Sequence, residues 1–516
     1  MSEEARYARL AWWTLAGIAL FRALYVIVFP FDLVGDEAYY WDWGRQLAWG
    51  YFSKPPLIAW LMAIAGWLGD NTDSGIRLMT VALGTGSLIF IYLLARQLWN
   101  NKAAFWAVVL VAASPGSVTI NLVLTIDAPL MFFWTGALYF FYNQIHSKDY
   151  HRLWVLLTTL FLGLGLLSKQ MMFAFFPLAI LYLAINPNQR HQLKNWRLWF
   201  CWAIAISFLI PTVIWNMHND WITVVHTKHH FEGKPIALVD ISIRSVDFFV
   251  SQIMMLSPVT GVAVFLLAWN SLRRFRELDA RTKYLLVFSV PALLVFCLML
   301  IRQSINPNWP AVFYAGLLIL LSGAINGGSC FPKAWTEKGP KWKKPIAITG
   351  IALSLFFMAV PFLLDWIKLT GAKYDPVARM EGWSELAENV QEYRETYGSE
   401  LDRPFLIATG HRYMTSYLAF YLVDQPHVYH WPEQPGRIES QYELWGFPDD
   451  LESRDAFIIV PGKEAELPES LYQVFDSIEK PEPLDQEKAQ QSSRRTRDYT
   501  LYIGRGLKLS SSVSEA

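Results

Sequence analysis

Apolar residues run in long blocks along the first two thirds of this chain, at lengths that suit a bilayer rather than a soluble core. A membrane-crossing helix needs roughly 17–25 mostly apolar residues. Blocks 11–30, 75–96, 103–120, 127–144, 152–168, 170–186, 197–217, 246–269, 284–301, 309–325 and 345–366 fit, the pair within 152–186 being short. The pattern predicts an all-α polytopic membrane domain of about eleven helices over 1–370, with an outer loop at 31–74. The first block, Ala11 to Pro30, is longer than a signal-peptide core and no small-x-small cleavage site follows it, so an uncleaved first helix is expected.

From Ala372 the pattern becomes that of a soluble domain. Pro376 to Tyr397 and His411 to Leu422 read as amphipathic helices; Pro404 to Thr409, Val428 to His430, Ala456 to Val460 and Tyr499 to Ile503 read as strands. Strands alternating with helices predict a small α/β domain over 371–516, with a polar, loop-like stretch at 480–497.

Charge sets the expected sidedness. Lys and Arg concentrate in alternate short loops: Arg96 and Lys102; Lys148 and Arg152; Arg190, Lys194 and Arg197; Arg273 to Lys283; Lys333 to Lys344. Those loops and the N-terminus are read as cytoplasmic. An odd helix count then places the C-terminal domain, and the loops holding Asp36, Lys54, Asp127, Lys169 and Arg302, outside the cytoplasm.

Composition agrees: 53% of the 516 residues are hydrophobic and 17% charged, with 24 Trp and 23 Tyr for interfacial positions. The net formal charge is zero, which gives no sign of nucleic-acid binding. The three cysteines (Cys201, Cys297, Cys330) offer no pair to the C-terminal domain and no metal motif.

The candidate chemistry begins with Gly35-Asp36-Glu37-Ala38-Tyr39-Tyr40, followed by Ser53-Lys54-Pro55-Pro56. If 36–49 is helical, Asp36, Tyr40, Trp43 and Leu47 share one face, suited to lying along the membrane surface. Asp36 there serves either as a general base or as a helix cap; Glu37 beside it makes capping a less complete account. Lys54 is either a phosphate ligand near a helix start or an interfacial lysine with its head in water. Asp127 opens an apolar block as a cap or as a partner for Lys169, which sits in a tight turn between two apolar runs. Arg302 to Pro310, including Asn308, lines an outer cavity or simply starts a helix. His226 and His229, near Lys228 and His230, have a spacing that can hold a metal but are read first as a solvated loop or a lipid-headgroup contact. No metal or other cofactor is indicated. The absence of Asp-x-Asp and of nucleotide-binding glycine motifs points to a donor carried on a lipid phosphate.

In their order and sidedness these pieces resemble glycosyltransferase family 39, which contains the protein O-mannosyltransferases and the bacterial aminoarabinose transferase of lipid A. The matching residues are Asp36-Glu37, Tyr51 to Pro56, Asp127-Ala128-Pro129, Gly163 to Lys169 and Pro307 to Pro310, within about 10–325. The resemblance implies a GT-C membrane fold in a bacterial inner membrane and an inverting transfer from a polyprenyl-phosphate sugar. It implies Asp36 as base, Lys54 as the lipid-phosphate ligand, and Asp127 and Lys169 in the active site. Beside these, Glu37 is taken as a second catalytic candidate, Lys169 and Arg302 as further ligands of the lipid phosphate, and Tyr40, His226, His229 and Asn308 as active-site candidates. The chain lacks the trefoil repeats of the protein mannosyltransferases, so an envelope lipid or glycan is expected as acceptor rather than a protein. A flippase for a lipid-linked sugar, or a polymerase using a lipid-pyrophosphate glycan, would share the apolar helices and few charges. In the C-terminal domain, Gly410 to Tyr413 and Arg437 to Trp445 stand out as possible glycan or headgroup contacts, or as ordinary packing.

Overall fold

A computed structural model of the chain describes residues 2–147, 152–231, 238–326, 333–366, 377–434, 436–482 and 497–508. Cys330, Lys148, the start of the helix expected from Pro376, and most of the polar 480–497 stretch lie outside the described residues. Two units emerge: Met1–Val28, Lys54–Ile58 and Ser74–Ala359 form the first, and Phe29–Ser53, Ala59–Asp73 and Val360–Ala516 the second. Most of the 31–74 loop, assigned from sequence to the membrane domain, thus clusters with the C-terminal residues; Lys54–Ile58 stays with the helices.

The first unit is helical and apolar. Among the described residues, five helices are long and apolar enough to cross a membrane: Glu3–Val28, Asp73–Leu98, Trp196–His218, Ala280–Met299 and Glu337–Leu364. The chain is a multi-pass membrane protein. A sixth candidate is a pair, Asp240–Leu256 and Pro258–Arg273, bent by 106°. Sequence reading expected one straight span at 246–269. Pro258 supplies the break: it lacks an N–H and disfavours helix at the residue before it, and Ser257 takes φ +70°. Other expected spans are split in the same way, as at Ser114-Pro115 between Asn101–Ala112 and Pro115–Ile120. The 218–245 segment, read as a loop, contains helix Ile222–Phe231 and the start of Leu238–Leu256.

Close helix approach in this unit depends on small residues. Asp127–His146 packs along Arg152–Ser168, and a Cβ on Gly136 would lie 2.2 Å from the Phe161 ring. That contact brings the start of the one helix and the end of the other, and hence Asp127 and Lys169, into register.

The second unit is built on a five-stranded sheet ordered β2-β1-β3-β5-β4. Its strands are β1 (Phe405–Ala408), β2 (Val428–His430), β3 (Ala456–Pro461), β4 (Phe475–Glu479) and β5 (Tyr499–Leu507). β1 runs parallel to β2 and β3; β5 runs antiparallel to β3 and β4. β1 is buried along its whole length, so it reads as a continuous apolar run, Phe-Leu-Ile-Ala. Helices Trp383–Tyr397 and Tyr413–Tyr421 belong to the same unit. The first-loop helix, Gly35–Arg45, packs against Tyr413–Tyr421. Asp32 ties the loop down further: its carboxylate accepts from the Trp383 amide at 2.8 Å and the Ser384 hydroxyl at 2.8 Å, capping a helix some 350 residues later.

Candidate active site

Asp36 is the second residue of helix Gly35–Arg45, which is shorter than the 36–49 stretch considered from sequence. Tyr51 closes its far end, accepting from the Ala48 amide at 2.9 Å and donating to the Gln46 and Trp43 carbonyls, with its ring stacked on Trp43 at 4.6 Å. Leu47 therefore lies beyond the helix. The face expected against lipid headgroups is instead buried in protein at Tyr40 and Trp43, and the neighbouring aromatics are buried too: Tyr39 packs on Tyr442 at 5.6 Å, and Trp41 packs edge-on to Phe420 at 4.9 Å. Tyr40 is buried beside Tyr39 and Trp43. Glu37, fully buried, accepts from the Val34 amide at 3.0 Å and so does the capping that was considered for Asp36.

Asp36 is left half-buried, with one partner that the sequence did not foretell. The Tyr413 hydroxyl donates to Asp36 Oδ1 at 2.9 Å across 377 residues of chain. Burial and the adjoining Asp36 push the Tyr413 phenol up to about 12, so it stays protonated and stays a donor. Gly35 makes the contact possible: a Cβ there would stand 2.4 Å from the Tyr413 ring. Asp36 Oδ2 has no hydrogen-bond partner among the described residues, so it remains open to take a proton.

Tyr413 follows β1 through Gly410, which takes φ +78°, a conformation that favours glycine. β2 and β3 lie on opposite sides of β1, so the carboxyl end of β1 is a topological switch point, where open α/β sheets bind ligands. Next along the turn, Arg412 holds its guanidinium 5.1 Å over the Tyr39 ring and 4.9 Å over the Tyr413 ring. Burial and the neighbouring Arg412 hold the His411 imidazole below its ordinary value. Gly410 to Tyr413 was legible as a ligand-type turn; that it meets Asp36 was not.

The first unit holds a second cluster. Lys169 Nζ lies 2.7 Å from Asp127 Oδ1, and Asn308 Nδ2 donates to Asp127 Oδ2 at 2.7 Å. Asp127 is 6% and Lys169 8% exposed, so the pair is removed from water. Among the described residues both Asp127 oxygens are taken by Lys169 and Asn308, so the pairing reading is the one observed. Lys169 occupies an extended residue between Arg152–Ser168 and the 3-10 turn Gln170–Ala174.

Lys54 is half-buried, in a short turn that precedes helix Leu57–Leu68, so Pro55 and Pro56 stand before the helix rather than opening it. Arg302 is exposed. His226 lies on helix Ile222–Phe231 rather than in a loop; the side chain of His229 is outside the described residues.

Comparisons with known proteins fall on the same side. Residues 53–215 match the family model described as dolichyl-phosphate-mannose-protein mannosyltransferase. The lipid A galacturonosyltransferase RgtD of Rhizobium johnstonii is 25% identical over 448 residues, 86% of this chain and 89% of that protein. ArnT from Cupriavidus metallidurans in the apo state superposes with a TM-score of 0.63 at 14% identity, covering 95% of this chain and 97% of that one. The resemblance to glycosyltransferase family 39 is borne out. The fold is ArnT-like. ArnT bound to undecaprenyl phosphate superposes with a TM-score of 0.57 at 15% identity, again over 95% and 97% of the two chains.

Proposed function

We propose that this chain is an inverting membrane glycosyltransferase that moves a sugar from a polyprenyl phosphate to an envelope lipid or glycan at the outer face of the inner membrane. The observation that carries the reading is Asp36: a half-buried carboxylate with one oxygen held by a phenol and the other open. In this mechanism Asp36 Oδ2 takes the proton of an acceptor hydroxyl as that oxygen bonds to the anomeric carbon. The bond from the anomeric carbon to the phosphate oxygen breaks, and polyprenyl phosphate leaves with the electron pair. Lys54 balances the charge growing on the phosphate, with Arg302 as a further cation. One displacement inverts the anomeric carbon.

The lipid A substrate of RgtD supports an envelope lipid as acceptor, and the undecaprenyl phosphate bound by ArnT supports a polyprenyl-phosphate donor. About eleven spans with the C-terminal domain outside the cytoplasm, as the charge bias indicates, would put Asp36 on the side where such acceptors are found. Because lysine supplies the positive charge, transfer is expected to need no added metal and to survive chelation.

The test is transfer by the purified full-length protein from a panel of polyprenyl-phosphate sugars to envelope lipids. Asp36→Asn is expected to cut turnover about 10²–10⁴-fold, the usual worth of a general base. Lys54→Ala should be as severe. Near-normal turnover in Asp36→Asn would remove Asp36 as base, and directional movement of the lipid-linked sugar without transfer would favour a flippase.

A further inference from the structure

Arg412 has the geometry of a binding residue without a ligand. Its guanidinium lies over two aromatic rings, Tyr39 at 5.1 Å and Tyr413 at 4.9 Å, and it makes no salt bridge among the described residues, with the Asp36 carboxylate close enough to act on its charge. Its Nε is buried and has no hydrogen-bond partner among the described residues. A buried N–H on a permanent cation is costly to leave unmade, and no ion pair to Arg412 forms among those residues. The two rings brace the guanidinium while its buried Nε–H is left for something else. Arg412 also sits at the carboxyl end of β1, at the switch point of the sheet, and is next to Tyr413, whose hydroxyl holds Asp36.

We infer that Arg412 binds an anionic oxygen group of the substrate, a carboxylate or a phosphate, beside the hydroxyl that Asp36 deprotonates. Planar carboxylates and phosphates match the two-pronged donor edge of a guanidinium. Two sources offer that chemistry: a carboxylate on the transferred sugar, as in a uronic acid, or a phosphate on the acceptor lipid. The inference rests on the proposed transferase reading for the identity of the substrate, but the arginine can be tested without turnover.

Binding is measured on full-length Asp36→Asn protein in detergent, alone and combined with Arg412→Gln or Arg412→Lys. The probes are matched pairs: polyprenyl-phosphate galacturonate against polyprenyl-phosphate galactose, and phosphorylated against dephosphorylated lipid A. With Arg412 present, the acidic member of one pair should bind more tightly; Arg412→Gln should reduce that preference about 10- to 100-fold, as for loss of a charge-assisted bidentate contact, and Arg412→Lys should reduce it less. The donor pair responding identifies a sugar carboxylate; the acceptor pair responding identifies a phosphate. Thermal unfolding and gel filtration verify that each variant is folded, with Arg412→Lys as the second variant if Arg412→Gln is not. Equal loss of the acidic and neutral probes, or an unchanged preference in both pairs, overturns the inference. A wild-type chain that shows the preference but transfers no sugar from any donor overturns the transferase reading instead.

Discussion

Two carboxylates, Asp36 and Asp127, open helices in this chain, and their surroundings differ in one decisive respect. Asp127 has a cation on one oxygen and an amide on the other, Lys169 and Asn308 both at 2.7 Å, and its charge is closed off. Among the described residues Asp36 has a neutral phenol on one oxygen and no hydrogen-bond donor on the other, while the nearby cation, Arg412, lies over two rings and makes no salt bridge. The first arrangement spends its polar groups on one another and suits a scaffold. The second leaves a carboxylate oxygen and a cation unpaired among the described residues, which suits the chemistry proposed for it. An acidic residue at a helix start is thus no sign of function by itself; what matters is whether its partners satisfy it.

The largest effect that would separate the two clusters is on stability. Lys169→Ala leaves Asp127 as a buried, half-paired charge and is expected to cost about 3–5 kcal/mol, seen as loss of monodisperse protein or a fall in Tm. Lys169→Met with Asp127→Leu should recover most of it, because an apolar pair has no charge to strand. If the Lys169→Ala protein folds normally and fails only in turnover, the two clusters are alike and the contrast collapses.

Next in size is a pH effect within the second unit. Burial pushes the His430 imidazole down to about 4, with His411 and Arg412 acting in the same direction, although the Glu443 carboxylate lies 3.4 Å away. The unfolded chain, with a histidine pKa of about 6.5, therefore binds a proton that the folded one refuses. Stability is full above about 6.5 and falls by about 3 kcal/mol as pH drops to about 4. Tm of the full chain across that range should flatten in His430→Gln; an unchanged slope assigns the effect elsewhere.

A smaller change probes the open carboxylate itself. Tyr413→Phe removes the hydroxyl that holds Asp36 Oδ1 and keeps the ring, so kcat should drop about tenfold with little change in donor KM, the mark of a positioning residue. A rise in KM alone would make Tyr413 a binding residue instead. Smallest of all, Asp32→Ala deletes the cap on helix Trp383–Tyr397 and should cost about 1 kcal/mol, read as a lower Tm with the kcat of the folded protein preserved.

How far the sequence could be read depended on the range of the forces at work. β1, β3 and β5 were visible because they are apolar runs bounded by turn residues, and Tyr413–Tyr421 because it follows one with helical spacing. β4, Phe-Asp-Ser-Ile-Glu, escaped notice: mostly polar and exposed, it owes its extended form to pairing with β5. Helix Gln441–Trp445 is a single turn, too short for periodicity, and depends on the Ser440–Glu443 capping box. The bend at Ser257 had a visible cause in Pro258, but its size is set by packing. At the candidate site, Asp36 and Gly410 to Tyr413 were each picked out; their meeting was not, because nothing local couples residues 377 apart.

The sequence by itself determined the apolar, multi-pass character of the chain and its resemblance to glycosyltransferase family 39, because hydropathy, charge bias and short motifs are local properties. Only the tertiary structure decided which carboxylate is spent and which is open. That distinction lies in contacts made across hundreds of residues, through a glycine small enough to let Tyr413 lie over the start of the helix that carries Asp36.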